Sequence, residues 1–439
     1  MERQDNTVAV AVSITTQGKQ KAPDAVDRHV AARMRRRRLE LGVAAETVAK
    51  ALRLSPTRLR RIEHGEERIE AGQVDRLCPL LEVTPSYFFT GFDPGTRSPH
   101  ICRPEPEAGN GGAAFSVTAM GGMARPAAAE AGAIVISTLH HFAFLPLMLM
   151  EDQKLVEKHA REAGLGEIKV SYVEINTGIE GNDALIAGRV QFVAAAIAPF
   201  LLLWDQTRGY ANVRAISALD TLPVYLVTRN PRVHSVADFS SSDRINVLKP
   251  KASLPALILQ MAAAKTFGVK QYARLDRLTV GIPHPESSTL MISGTGGITA
   301  DVSGPPFVYQ ELDDPNIHLV LTSLDVLDAP ATATLLYTSE EFHDRNPRIV
   351  AAVVAAVDEA ISIIRSNRDS AARAFLRIAG AHFAPQLPRL VDAALYFDRR
   401  PHATMKYAEF MHSVGDLKSL PRSWHDLFFP AEAATLTGD

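Results

Sequence analysis

The chain is poor in cysteine. Only Cys78 and Cys102 occur among 439 residues, too few for a disulfide framework and not spaced as a thiolate zinc set. It also lacks a large net charge of either sign. The formal total is -2, so the whole chain is neither a basic nucleic-acid coat nor an acidic tail. No clean apolar run of spanning length occurs. The least polar stretch, Ala131 to Met150 (AGAIVISTLHHFAFLPLMLM), holds His140, His141 and Pro146, and it parses as a strand, a turn and a buried helix. The opening residues, MERQDNTVAVAVSITTQGKQKAPDAVD, lack a basic segment followed by an apolar one, so the expectation is a soluble, cytoplasmic chain.

Signatures of chemistry are missing too. There is no GxSxG elbow. The GTGG at Gly294 to Gly297 lacks the flanking strand, helix and lysine of a phosphate loop. Adjacent His140 and His141 find no third ligand at suitable spacing. The expectation is therefore no enzyme, no metal and no cofactor.

What is present is length for two or three folded units and an uneven spread of charge. Arginines crowd Arg28 to Arg61 (Arg33, Arg35, Arg36, Arg37, Arg38, Arg53, Arg58, Arg60, Arg61). Such a cluster is either a solvated helix face or the footprint of a polyanion. Around it the apolar residues Val30, Met34, Leu41, Val48, Leu52, Leu59 and Ile62 recur at helical spacing. Gly42 ends one helix, Ser55 and Pro56 cap and open another, and Gly65 stops it. A further helix is expected over Ala71 to Leu81, and VTPSYFF opens a last short one.

With LELG, VAKALRLSPTRLRRIEHG and LEVTPSYFF in register, residues 26–91 resemble the lambda-repressor-like (XRE) helix-turn-helix family. The resemblance implies that helix Ala45 to Leu52 crosses the DNA backbone and that helix Pro56 to His64 enters the major groove. Leu59 and Ile62 would anchor that helix. Thr57 and Arg61 would fall near base edges, with Arg58 and Arg60 nearer phosphates. Arg36 and Arg38 are weaker phosphate candidates. The chain departs from the family pattern at VAAET, at Arg53 where a turn glycine is usual, and at Pro79 inside the fourth helix.

Residues 92–132 are dominated by Pro, Gly and Ala and read as a flexible linker. Within them ARPAAAEAG also resembles the cleavage end of a signal peptide, which leaves open a domain descended from a secreted protein.

From Ala133, runs such as IVIST, KVSYVEI, VQFVAAA and VRAISAL alternate with helical runs, which argues for parallel sheets with helices on both faces. NDALIAGRVQFVAAAIAPFLLLWD, HPESSTLMISG, ITADVSGPPFVYQEL and SWHDLFFP, in that order, make residues 133–431 similar to the ABC-transporter substrate-binding proteins for nitrate, sulfonates and taurine. The resemblance implies two α/β lobes on a hinge. The first would hold Ala133 to about Leu226 and the chain after Pro305, the second Thr228 to Ser303. Ligand candidates are Thr138, His140 and His141 after the first strand, Asn182 at the opening of a helix, Ser253 as a helix N-cap, and Ser303 at the return crossing.

The fold class expected is thus an all-α helix-turn-helix domain plus an α/β two-lobe periplasmic-binding-protein-like domain. The function it implies is a ligand-responsive DNA-binding transcriptional regulator, a homodimer on double-stranded DNA that senses a small molecule, with an anion among the options. The alternative is a solute-binding protein that serves an ABC permease and carries a vestigial helix-turn-helix.

Overall fold

The computed structural model describes residues 30–31, 33–35, 37–38, 43–52, 54–63, 67–69, 73, 76–77 and 80–81, and then 130–438 except 140 and 176. The chain divides into two compact units, Met1–Gly122 and Met123–Asp439. His140, Arg53, Gly65, Pro79 and nearly all of the linker lie outside the described residues.

In the first unit α1 is Ala45–Leu52 and α2 is Pro56–Glu63. Both are amphipathic at a 3.6-residue period. Met34, Val48, Leu52, Leu59 and Ile62 are fully buried or nearly so and share one core with Leu77 and Leu81. Ser55 Oγ accepts the Arg58 backbone N–H at 3.1 Å and so caps α2. Arg38 departs from its expected place among phosphate candidates. Its guanidinium is buried and grips Glu63 bidentately, at 2.6 and 2.8 Å, and it also donates to Val43 O at 3.1 Å. The fork geometry of arginine suits this pin, which ties the first helical segment to the end of α2.

The second unit holds two five-stranded sheets. Strands β1 (Ala133–Thr138), β2 (Lys169–Glu174), β3 (Phe192–Ala196), β4 (Arg214–Asp220) and β10 (Thr334–Thr338) form the first, in the order β2-β1-β3-β10-β4. Strands β5 (Tyr225–Thr228), β6 (Ile245–Asn246), β7 (Thr279–Val280), β8 (Ala300–Ser303) and β9 (His318–Thr322) form the second, in the order β7-β6-β8-β5-β9. The sheets are mixed rather than parallel: β10 runs antiparallel to β3 and β4, and β5 antiparallel to β8 and β9. The reason is topological. Each is the first strand built after the chain crosses between lobes. It enters at the edge where the neighbouring strands end, so it must run away from that edge.

This ordering moves the lobe boundary. The second lobe extends through β9, and the chain returns over residues 328–333 rather than at Ser303. The long helix Pro347–Ser366 buries Ile349, Val353, Val357, Ile361 and Ile364 along one stripe against the core of the first lobe. The carboxy-terminal segment docks on the same lobe, where Trp204 Nε1 donates to Asp426 O at 3.0 Å and Phe428 bridges to Ala215. No helix among the described residues is long and apolar enough to cross a membrane.

Candidate ligand cleft and nucleic-acid interface

A cleft of about 280 Å³ lies between the two sheets, where β1, β3, β4 and β8 end. Helices begin around it. Thr177 Oγ1 accepts the Glu180 N–H at 3.2 Å and caps helix Gly178–Ile186. Ser253 Oγ accepts the Ala256 N–H at 3.3 Å and caps helix Leu254–Phe267. Ala196 precedes helix Ile197–Thr207 and supplies no side-chain cap. All three residues before these helices line the cleft or its rim. Each helix start adds partial positive charge. Gly178 is required there, since a Cβ would lie 2.6 Å from Pro199 Cγ and 3.1 Å from Ala195 Cβ.

The loop leading to Ser253 is strained. Leu248 and Lys251 hold φ of 61° and 64°, and Lys249 N donates to Val247 O at 2.6 Å across a three-residue turn centred on Leu248. Such conformations cost an ordinary side chain about 1–3 kcal/mol each. Leu248 and Lys249 both line the cleft.

Two histidines flank Phe307. His141 lies 5.7 Å from its ring, and His284 stacks on it at 4.5 Å and 9°. Burial pulls His141 down to about 4. Burial, with His141 nearby, pulls His284 down to about 3. Both are therefore neutral near pH 7. His141 Nδ1 accepts the Ala143 N–H at 3.3 Å, which leaves the proton on Nε2. Asp220 lines the floor. Burial raises its carboxyl to about 7, against hydrogen bonds from Leu222 N and Thr334 that act the other way. Lys249 is the one cationic side chain among the described residues that line the cleft.

The expected ligand residues divide. His141, Ser253 and Ser303 line the cleft. Ser303 also donates to Glu311 Oε2 at 3.0 Å. Thr138 is buried while Ser137 and Leu139 face the cleft, as strand alternation dictates. Asn182 does not open its helix; it sits in the second turn. Its amide donates to Pro199 O at 2.8 Å and accepts from Tyr337 OH at 2.5 Å, so it braces the lobe. Sequence reasoning missed Thr177, Asp220, His284 and Phe307. Thr177 was findable as a Thr-x-x-Glu cap after the KVSYVE strand.

On the first unit, Leu59 and Ile62 turn inward, whereas Thr57, Arg60 and Arg61 are exposed on α2. Arg58 is half-buried, with Nε 2.5 Å from Glu67 Oε1. Arg61 Nη1 lies 3.7 Å from the other oxygen of the same carboxylate. Glu67 thus pairs with two of the three candidate arginines on α2 and sets where they point.

Comparison with known proteins matches these two geometries separately. Residues 29–86 match a family described as a helix-turn-helix domain. A 78-residue stretch is 32% identical to an uncharacterized HTH-type transcriptional regulator, y4wC, of Sinorhizobium fredii; it covers 18% of this chain and 54% of that protein. The chain thus spans about half the length of that curated relative. The periplasmic aliphatic sulphonate binding protein SsuA of Escherichia coli superposes with a TM-score of 0.52 at 16% identity, over 68% of this chain and 92% of that one. A protein of Bordetella bronchiseptica gives 0.55 at 18% identity, over 69% and 96%. Residues 29–86 therefore match a helix-turn-helix domain, and the rest of the described chain has the α/β fold of the periplasmic binding proteins.

Proposed function

We propose that this chain is a cytoplasmic, homodimeric transcriptional regulator of the XRE type whose DNA affinity responds to a small molecule held in the interlobe cleft. The observation that carries the reading is the pairing, in one chain, of an outward-facing α2 bearing Thr57, Arg60 and Arg61 with a two-lobed cleft. In this reading Thr57 and Arg61 read base edges, and Arg58 and Arg60 position the helix on phosphates. In the cleft, His141 Nε2–H, the helix starts behind Thr177, Ala196 and Ser253, and Lys249 offer donors to a compact, anion-bearing molecule. The E. coli protein of the same fold is named for aliphatic sulphonates, which makes sulfonates the first compounds to try. The cleft serves recognition without turnover.

Regulation requires that the ligand bind one state more tightly than the other, since equal affinity shifts nothing. A thermal-shift panel of sulfonates, nitrate and related anions on the full chain identifies a stabilising compound. That compound is expected to change affinity for the chain's own upstream DNA. A stabilising compound that leaves DNA affinity unchanged would remove the sensing role. Absence of sequence-specific DNA binding would instead favour a transport-associated solute receptor.

A further inference from the structure

We propose that His284, Asp301 and Glu311 form a binding site for one divalent transition-metal ion of zinc's class in the second lobe, beside the cleft that His284 also lines. One ligand atom from each of the three lies within 4.8 Å of the others. A tetrahedral ion with bonds of about 2.0–2.2 Å spaces its donors roughly 3.3–3.6 Å apart, so the cluster can close on it with small side-chain movement.

Charge supports the assignment. Asp301 and Glu311 are both fully buried. The ion pairs among the described residues include neither of them, so no lysine or arginine compensates the pair. Two adjacent carboxylates removed from water require a cation, either a shared proton or a metal. Asp301 Oδ2 is buried and finds no hydrogen-bond donor, which is the atom a metal would take.

The other oxygens are held from outside. Asn246 Nδ2 donates to Asp301 Oδ1 at 3.0 Å. Ser288 and Ser303 hydroxyls donate to the two oxygens of Glu311 at 2.6 and 3.0 Å. Such outer hydrogen bonds orient metal-ligating carboxylates. The imidazole separates the two cations. A shared proton makes no use of it, whereas one nitrogen and two carboxylates are a donor set that zinc and its first-row neighbours accept. Stacking on Phe307 fixes that ring. Three protein donors leave a fourth position on a tetrahedral ion.

The test uses the full chain, stripped with a chelator, given one equivalent of Zn²⁺ and passed through gel filtration. Retained zinc is measured by elemental analysis and the thermal midpoint by circular dichroism. The wild type is expected to keep about one ion per chain and gain thermal stability. Asp301→Asn and His284→Gln are expected to lose both effects. A wild type that keeps no zinc, with Asp301→Asn at least as stable, would overturn the proposal and leave a proton-sharing pair. Equal zinc in the wild type and both variants would overturn it by placing the ion elsewhere. If Asp301→Asn fails to fold, His284→Gln at the less buried position decides alone.

Discussion

The two units carry function in opposite ways. In the first, the candidate contacts are side chains on the outside of one short helix, and a small core with the buried Arg38–Glu63 ion pair holds that helix in place. In the second, the candidate contacts face inward, and many are helix starts and neutral imidazoles brought together from distant parts of the chain. Local periodicity therefore exposes the first kind of site in the sequence, whereas topology creates the second.

The independence of the two units is most exposed at the Arg38–Glu63 pin. Glu63→Ala leaves a buried guanidinium uncompensated and is expected to cost the first unit about 3–5 kcal/mol. Calorimetry should show that unit's transition lowered and the second unit's unmoved. A shift of both transitions would mean that the units do not fold separately.

Next in size is a pH effect confined to the second unit. Asp220 is raised from an ordinary carboxylate value to about 7 by burial. Its protonated form stabilises the fold fully below about pH 4, and that stability is lost as pH rises through about 7. Asp220→Asn removes the titration and should gain roughly 2–4 kcal/mol at pH 8 and little at pH 4. Urea midpoints at the two pH values test this, and an equal change at both would contradict the buried carboxyl.

Arg61→Ala is smaller and affects DNA alone. Specific affinity should fall by about 1–3 kcal/mol with no change in thermal stability. Loss of stability instead would make Arg61 a structural residue. The least effect is expected at Ser253→Ala, about 0.5–2 kcal/mol through loss of the helix cap. A thermal-shift panel would then show weaker stabilisation by whichever anion stabilises the wild type.

The legible parts of the fold were those set within a dozen residues. Helix α1 spans Ala45–Leu52 as the helix-turn-helix resemblance implies, and Ser55 caps α2. The run from Ala131 to Met150 becomes β1, a short turn and a buried helix. What escaped was non-local. The direction of β5 and β10 follows from where the chain crosses, which no window of sequence records. Thr138 was displaced from the cleft by one residue of strand alternation. Asn182 looked like a helix-opening donor, but its partners Pro199 and Tyr337 lie 17 and 155 residues away. His284, Asp301 and Glu311 share no motif spacing, and the fold alone assembles them.

DNA reading by α2 is tested most directly by fluorescence-anisotropy titration of the full-length chain on its own upstream DNA and on a scrambled duplex, over a salt series. A regulator predicts preference for the native duplex that persists at physiological salt and is lost in Arg61→Ala. Equal, weak binding to both duplexes that vanishes with salt would reduce the arginines to a basic patch and contradict the account.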